Sequence, residues 1–282
     1  MVTSEAASQA DALKLAGSVV ALWRYPVKSM QGEELPALAF GPRGAAGDRA
    51  YALVDQATGK VASAKNPRKW GRLFDCRAAF MAPPAAEGAA PPVRVTLPDG
   101  KVLTSGQDDI DGALSALFGR AVTLATAPPP DPELEEYWPD IDGLAHRDAV
   151  TDEAMPAGTF FDLATVHVLT TATLDRLRAL YPQGRFEVRR FRPNVVVDTV
   201  EGSGGFAEDA WVGRSLALGD EVRLRVTGPC PRCVMTTLPQ SDLPRDVGIL
   251  RAAAKHHDAN VGVYASVVQG GTVRRGDRIQ LI

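Results

Sequence analysis

The sequence predicts a mainly β (α+β) chain, a barrel or sandwich of short strands with few short helices. Three observations carry this. Short apolar runs of strand-forming residues recur between Gly, Pro and Asp punctuation. The 26 glycines and 21 prolines make up about 17% of the 282 residues, above the usual sum near 12% but short of the roughly 25–30% of a low-complexity chain. No repeating βαβ unit, P-loop or strand-bound G-x-G-x-x-G is present, which argues against the nucleotide-binding α/β folds. The length suits one large domain or two modest ones and needs no staple to bury a core.

Taken in order, residues 1–16 read as a frayed tail or a short helix. Strands are expected at 19–23, 50–54, 73–80 and 93–97, the last alternating cleanly between apolar and polar positions. Residues 82–92 are a Pro/Ala-rich surface loop. Ile110, Leu114, Leu117 and Phe118 fall on one face of a helix over 109–118. The run 126–132 holds four prolines and can continue neither a helix nor a central strand. The join between two parts is placed just after it: a tail at 1–16, an N-terminal domain at 17–135 and a C-terminal domain at 136–282. A strand at 166–169 then meets Thr170 and Thr171, which cap a helix carrying Leu174, Leu177 and Leu180 inward. Later strands are expected at 195–198, 222–227, 261–268 and 278–282, with a helix at 245–257.

Composition bounds the partners. With 31 Lys and Arg against 34 Asp and Glu, the net charge of −3 argues against a general nucleic-acid or membrane-surface binder. Locally, Arg185, Arg189, Arg190 and Arg192 cluster, as do Arg274, Arg275 and Arg278. Such clusters suit a small phosphorylated ligand or a solvated surface. Three cysteines, Cys76, Cys230 and Cys233, cannot form a secreted disulfide framework. The first residues lack the basic and apolar regions of a secretory signal, and no apolar run approaches a membrane span. A reducing cytoplasm is expected.

The sharpest local feature is Gly228-Pro229-Cys230-Pro231-Arg232-Cys233. It reads as a redox dithiol, as half a zinc site completed by His256 and His257, as one thiolate ligand or nucleophile beside a cation, or as two small buried hydrophobes. The spacing alone leaves these open. Elsewhere, Arg192-Pro193-Asn194 precedes a strand, Tyr25-Pro26-Val27-Lys28-Ser29 follows one, and Gly47-Asp48-Arg49 opens another. Each alone reads equally as surface charge. Together they supply the cations and polar donors that a buried anionic cofactor requires.

Over residues 18–282 the chain resembles the MOSC-domain proteins (molybdenum cofactor sulfurase C-terminal domain), in the long form with an N-terminal MOSC β-barrel domain. It is similar in layout to the amidoxime-reducing components and their bacterial relatives. The N-terminal match is Leu22-Trp23-Arg24-Tyr25-Pro26-Val27-Lys28-Ser29, then Gly47-Asp48-Arg49 and Tyr51-Ala52-Leu53-Val54-Asp55. The C-terminal match is Phe191-Arg192-Pro193-Asn194-Val195-Val196-Val197 and Glu208-Asp209-Ala210-Trp211. It continues through Cys230-Pro231-Arg232-Cys233-Val234-Met235-Thr236-Thr237, Gly262-Val263-Tyr264 and Gly276-Asp277.

The resemblance implies two packed β-barrel domains and a molybdenum–molybdopterin cofactor (Moco), its metal ligated by Cys233, with Cys230 structural. Soft thiolate ligation suits such a centre. It implies Lys28, Ser29 and Arg49 on the phosphate and pterin side, and Thr170, Thr171, Arg192, Asn194 and Arg232 as cofactor contacts from the C-terminal half. Asp209 and Trp211 read as fold elements. The family also carries an association with pyridoxal phosphate binding. Leu238-Pro239-Gln240-Ser241 departs from the family's usual turn, and Val261 stands where a Phe is common. Both departures fall near the cofactor mouth and bear on the substrate.

The implied activity is reduction of N-hydroxylated or related N–O substrates. No cysteine follows Cys233, so the chain has no iron–sulfur cluster of its own. Electrons would come from a separate donor protein, a ferredoxin, flavoprotein or cytochrome b5-like partner. The alternatives are a carrier of persulfide sulfur or of the cofactor, and an idle homologue.

Overall fold

The computed structural model describes residues 14–200 and 202–282. The large sheet closes on itself through seven strands. In spatial order they are Val195–Thr199, Val166–Thr170, Asn260–Gln269, Val222–Pro231, Ser215–Leu218, Arg278–Leu281 and Lys14–Arg24, the last pairing back with the first. Closure removes the exposed strand edges. The first strand serves two barrel neighbours and the short Glu33–Leu35 strand because irregularities at Leu15/Gly17 and Val19/Ala21 bend it along its length. Gly17 sits where a Cβ would lie 2.1 Å from the Asp198 carbonyl oxygen, so the two strands approach closely only because it has no side chain.

The pairing of Val166–Thr170 with Val195–Thr199 is parallel, and a parallel pair needs a crossover. Helix Thr171–Leu180 begins that crossover on the outside of the barrel. Its Leu174 and Leu177 pack with Phe186, Phe191, Val261 and Ile249 of helix Gly248–His257. The barrel interior is filled by Val19, Leu22, Val168, Val195, Leu224, Val263 and Ile279 among others.

Residues of the N-terminal half build a second core around Val27, Tyr51, Leu53, Leu73, Val95, Leu103 and Leu114. It is enclosed by the Arg77–Phe80, Val93–Thr96 and Val102–Thr104 strands, the Ala52–Asp55 and Val122–Ala125 pair, and helix Ile110–Phe118. The protein is thus mainly β with few short helices, as expected.

Several elements differ in detail. The expected strand over 73–80 splits into a 3₁₀ turn, Gly71–Asp75, and strand Arg77–Phe80. Leu73 and Phe74 are both fully buried and pack into two different clusters, Leu73 with the N-terminal core and Phe74 beside Val234 and Met235. The strand expected to end at 227 runs on to Pro231 and carries Cys230 into the sheet. Helix 245–257 starts only at Gly248. Residues 14–16 already belong to a strand; the rest of the expected tail lies outside the described residues. Position 135 falls inside an unforeseen hairpin, Glu133–Trp138 with Ala149–Ala154.

Candidate functional site

A cleft of about 350 Å³ opens where the N-terminal segments meet one end of the barrel. Lys28, Ser29, Arg49, Arg192, Asn194, Arg232 and Cys233 all line it. Three of these residues, Ser29, Arg49 and Arg192, have left-handed backbone, at φ 63°, 48° and 55°. That conformation costs a non-glycine residue about 1–2 kcal/mol. Strain of this kind persists where surrounding structure enforces it, and such places cluster at functional sites.

The enforcing contacts are specific. The Lys28 N–H donates to Tyr51 O at 2.8 Å, and Ser29 Oγ accepts the Ala64 N–H at 3.1 Å. Arg192 ends the Val188–Phe191 turn and donates its N–H to Val188 O at 3.2 Å. Buried Asp48 joins the two halves. It accepts the Tyr25 N–H at 2.7 Å and the Asn194 Nδ2 at 2.9 Å, and it pairs with Arg49. Asn194 Oδ1 accepts the His167 N–H at 3.1 Å, so Asn194 reaches the cleft with both ends of its amide already engaged.

The cations are held differently. Lys28 Nζ donates to Phe160 O at 2.8 Å and pairs with Asp162. Lys65 Nζ lies 2.8 Å from Glu136 Oε2 and 3.7 Å from Asp162 Oδ2. Burial pulls the Lys28 ammonium down against the pull of Asp162. Burial of Asp162 is outweighed by Lys28 and Lys65, which hold its carboxyl well below the usual carboxylate range. Arg192 stacks 4.1 Å from the Tyr25 ring centre and donates Nη1 to Met30 O at 2.7 Å. Burial, reinforced by neighbouring Arg49, pulls it down to about 10. Arg232 donates to Cys230 Sγ at 2.7 Å and to Phe191 O at 2.9 Å.

The two cysteines are unlike. Cys230 is fully buried in the sheet and does not line the cleft. Burial opposes its ionisation, but Arg232, His167 and Tyr264 override this and bring the thiol down to about 6. Cys233 caps the Val234–Thr237 turn, is partly exposed, and packs beside Ala64, Phe74 and Met235. Burial and Glu136 push its thiol up to about 11, while Lys65 and Arg232 pull the other way. The zinc reading gains no support, since His257 Nε2 is engaged by Asp209 at 2.6 Å. Among the described residues no three His, Cys, Asp or Glu side chains are grouped to hold a metal.

Thr170 and Thr171 lie outside the lining of the cleft. Thr170 Oγ1 caps its helix by accepting the Thr173 N–H at 3.1 Å and donates to Glu208 at 2.6 Å. Thr171 Oγ1 donates to Asp198 at 2.7 Å. Conversely, Lys65, Glu136, Asp162, His167 and Tyr264 line the cleft and were not anticipated. Tyr264 sits in the Gly262-Val263-Tyr264 match, which marked the strand and not a site role, whereas Lys65, Glu136, Asp162 and His167 lie in no motif. Arg190, counted among the basic residues of 185–192, is fully buried and donates to four carbonyl oxygens, those of Arg185, Thr236, Leu238 and Pro244. It clamps the chain after Cys233 and is no ligand-binding surface charge.

Two buried guanidinium nitrogens at the cleft, Arg192 Nη2 and Arg232 Nε, have no partner among the described residues. Buried donors are rarely left so. Together with Lys28, Arg49 and Lys65 around a free thiol, they fit an anionic group that also needs a soft sulfur ligand.

A MOSC domain model matches residues 157–280, and a MOSC N-terminal beta barrel domain model matches residues 16–75. The chain is 24% identical over 305 aligned residues to mitochondrial amidoxime-reducing component 1 of Mus musculus, covering 96% of this chain and 84% of that protein. It is 31% identical over 131 residues to mitochondrial amidoxime reducing component 2 of Rattus norvegicus, which spans 42% of this chain and 37% of that one. Among solved structures, the YUAD protein of Bacillus subtilis superimposes with a TM-score of 0.48 at 13% identity, over 95% of this chain and 97% of that one. No described helix is long and apolar enough to cross a membrane. The two domain matches follow one another in the expected order, and the chain belongs to the MOSC-domain proteins, a family associated with molybdenum cofactor binding, in the form that carries an N-terminal MOSC β-barrel domain.

Proposed function

We propose that this chain binds Moco in the cleft and acts as an oxidoreductase on N-hydroxylated or related N–O substrates. One observation carries the reading: a partly exposed thiol, Cys233, opens into a cavity also lined by Lys28, Arg49, Lys65, Arg192 and Arg232. Cys233 supplies the metal ligand; burial and Glu136 keep the free thiol protonated against the pull of Lys65 and Arg232, so ligation would release its proton. Arg192 and Arg232 offer their unpartnered nitrogens to the cofactor's anionic oxygens, with Lys28 and Arg49 beside them. Ser29 and Asn194 shape the wall through the backbone contacts they make. Thr170 and Thr171 act at one remove, by fixing the strand end and helix start beside Val197 and Asp198, on the strand that directly follows Asn194. When bound, the reduced cofactor would supply the two electrons that, with two protons, break the substrate N–O bond and release its oxygen as water, the electrons being replaced by the separate donor protein.

A small-molecule N–O compound and a separate electron-donor protein, ferredoxin, flavoprotein or cytochrome b5-like, are the partners in this reading, with neither nucleic acid nor membrane. A reducing compartment such as the cytoplasm keeps Cys233 free for ligation.

The test is benzamidoxime reduction under an artificial reductant, using full-length protein from a cofactor-producing host. Turnover that disappears in Cys233→Ala is expected. A persulfide mass shift on Cys233 in protein without such turnover would replace the reading with sulfur carriage.

A further inference from the structure

The hairpin Glu133–Trp138 with Ala149–Ala154 builds one wall of the cofactor cleft. Alternate residues of a strand share a face, and Leu134, Glu136 and Trp138 all line the cleft. Their register partners on the second strand are Glu153, Thr151 and Ala149. Residues opposed across an antiparallel pair lie on the same face, and Glu153 lines the cleft as well. The other face of the hairpin is spent on lysines outside the cleft lining, Glu135 on Lys69 at 2.6 Å and Asp152 on Lys60. The wall adjoins the thiol, since Tyr137 and Cys233 pack against one apolar cluster that includes Phe74 and Met235.

This wall is held in place and carries a free negative charge. Trp138 Nε1 donates to Thr151 Oγ1 at 2.8 Å, and Thr151 Oγ1 donates to Glu153 Oε1 at 2.6 Å, so one hydroxyl orients both the ring and the carboxylate. His146 packs edge-on against the indole with ring centres 5.2 Å apart. The loop between the strands is anchored by Ile141 and Leu144 on Leu250 and Ala254 of helix Gly248–His257. Trp138 and Glu153 are half-buried, open to a ligand yet fixed. Of the four acidic residues lining the cleft, Glu136 and Asp162 are paired with Lys65 and Lys28. Glu153 and Asp258 have no ion-pair partner among the described residues, and Asp258 ends the helix on which the hairpin loop rests. The five cations of the cleft all come from other segments.

We propose that Trp138 and Glu153 form the substrate subsite and select N–O compounds with a flat, positively charged body over those with a negatively charged one. The inference rests on the oxidoreductase reading of the cleft. An indole attracts a flat cation, and a carboxylate without a counter-ion takes both its charge and its N–H donors. In that reading the basic side of the cleft is committed to the cofactor's anionic oxygens, so the charge left free for a substrate is the negative one.

Equilibrium binding of benzamidine and benzoate tests this, because the two share a ring and a shape, differ in sign of charge and have no N–O bond to reduce. Calorimetric titration of full-length protein from a cofactor-producing host should show benzamidine bound about tenfold or more tightly than benzoate. Glu153→Gln keeps the shape and the acceptor for Thr151. It should weaken benzamidine about tenfold, the effect of losing a charge-assisted partner, and leave benzoate no weaker than before. Trp138→Leu should weaken benzamidine several-fold; if that variant fails to fold, Glu153→Gln at its half-exposed position carries the test alone. Benzoate bound as tightly as benzamidine, no benzamidine binding at about 10 mM, or a preference unchanged in Glu153→Gln would overturn the proposal. The cofactor reading fails separately. Protein without molybdenum or benzamidoxime turnover that still prefers benzamidine through Glu153 would keep a cation subsite and lose the reductase, whereas turnover without that preference would keep the reductase and lose the subsite.

Discussion

Asp48 is a buried carboxylate bonded to Tyr25, Arg49 and Asn194, and Asp48→Asn isolates its contribution. The substitution keeps the shape and the acceptor for the Tyr25 N–H, which lies at 2.7 Å. It removes the charge facing Arg49 and turns an amide nitrogen toward Asn194 Nδ2, now 2.9 Å from Asp48 Oδ2. Asn194 cannot rotate to accept, because its oxygen already receives the His167 N–H at 3.1 Å. Breaking a buried ion pair from one side costs about 3–5 kcal/mol. The Arg49 side chain is 18% exposed while that of Asp48 is fully buried, so water recovers part of the loss and the low end applies. The expected cost is about 3 kcal/mol, or a fall in Tm of about 6–12 °C. Urea unfolding of the chain without cofactor, at unchanged m-value, measures it. The double variant Asp48→Asn/Arg49→Met should cost less than the two single changes added together. A single-variant loss under about 1 kcal/mol would refute the view that Asp48 pins the two halves together.

Arg190→Met strands the carbonyls of Arg185, Thr236, Leu238 and Pro244 and should cost about 3 kcal/mol or more by urea unfolding. Arg190→Lys should rescue little, since one ammonium cannot reach what a fork reaches. Thr170→Val removes a helix cap and a bond to Glu208, and should lower stability by about 1–2 kcal/mol, equally with and without bound cofactor. Asp162 has a depressed folded pKa, so its stabilising effect is full above the unfolded value near 4 and is lost as pH falls below it. Wild type should therefore lose stability relative to Asp162→Asn on acidification below about pH 4, followed by unfolding in parallel buffers.

Much of the fold was legible because alternation and punctuation are local signals. The Val93–Thr96 strand and the Ile110–Phe118 helix follow directly from their apolar spacing. The 3₁₀ turn at Gly71–Asp75 was not, because Leu73 and Phe74 are buried by partners distant in sequence. The site divides in the same way. Lys28, Arg49, Arg192, Arg232 and Cys233 sit in short motifs beside strand ends and were readable as a set. Lys65, Glu136 and Asp162 are distant in sequence and meet at Lys65 Nζ, with strand Glu133–Trp138 bringing Glu136 to the cleft wall, and nothing near them in sequence announces a site. Arg190 was misleading for a related reason: its charge suggested surface, whereas four carbonyls from three segments satisfy it inside.

The most direct measurement is the molybdenum content of full-length protein purified from a cofactor-producing host, compared across the two cysteines. Cys233 lines the cleft and Cys230 does not, although Cys230 is the more acidic thiol. Wild type and Cys230→Ala should each carry about one metal per chain, and Cys233→Ala almost none with its fold intact. Metal retained in Cys233→Ala, or lost in a folded Cys230→Ala, would contradict the assignment of Cys233 as the ligand.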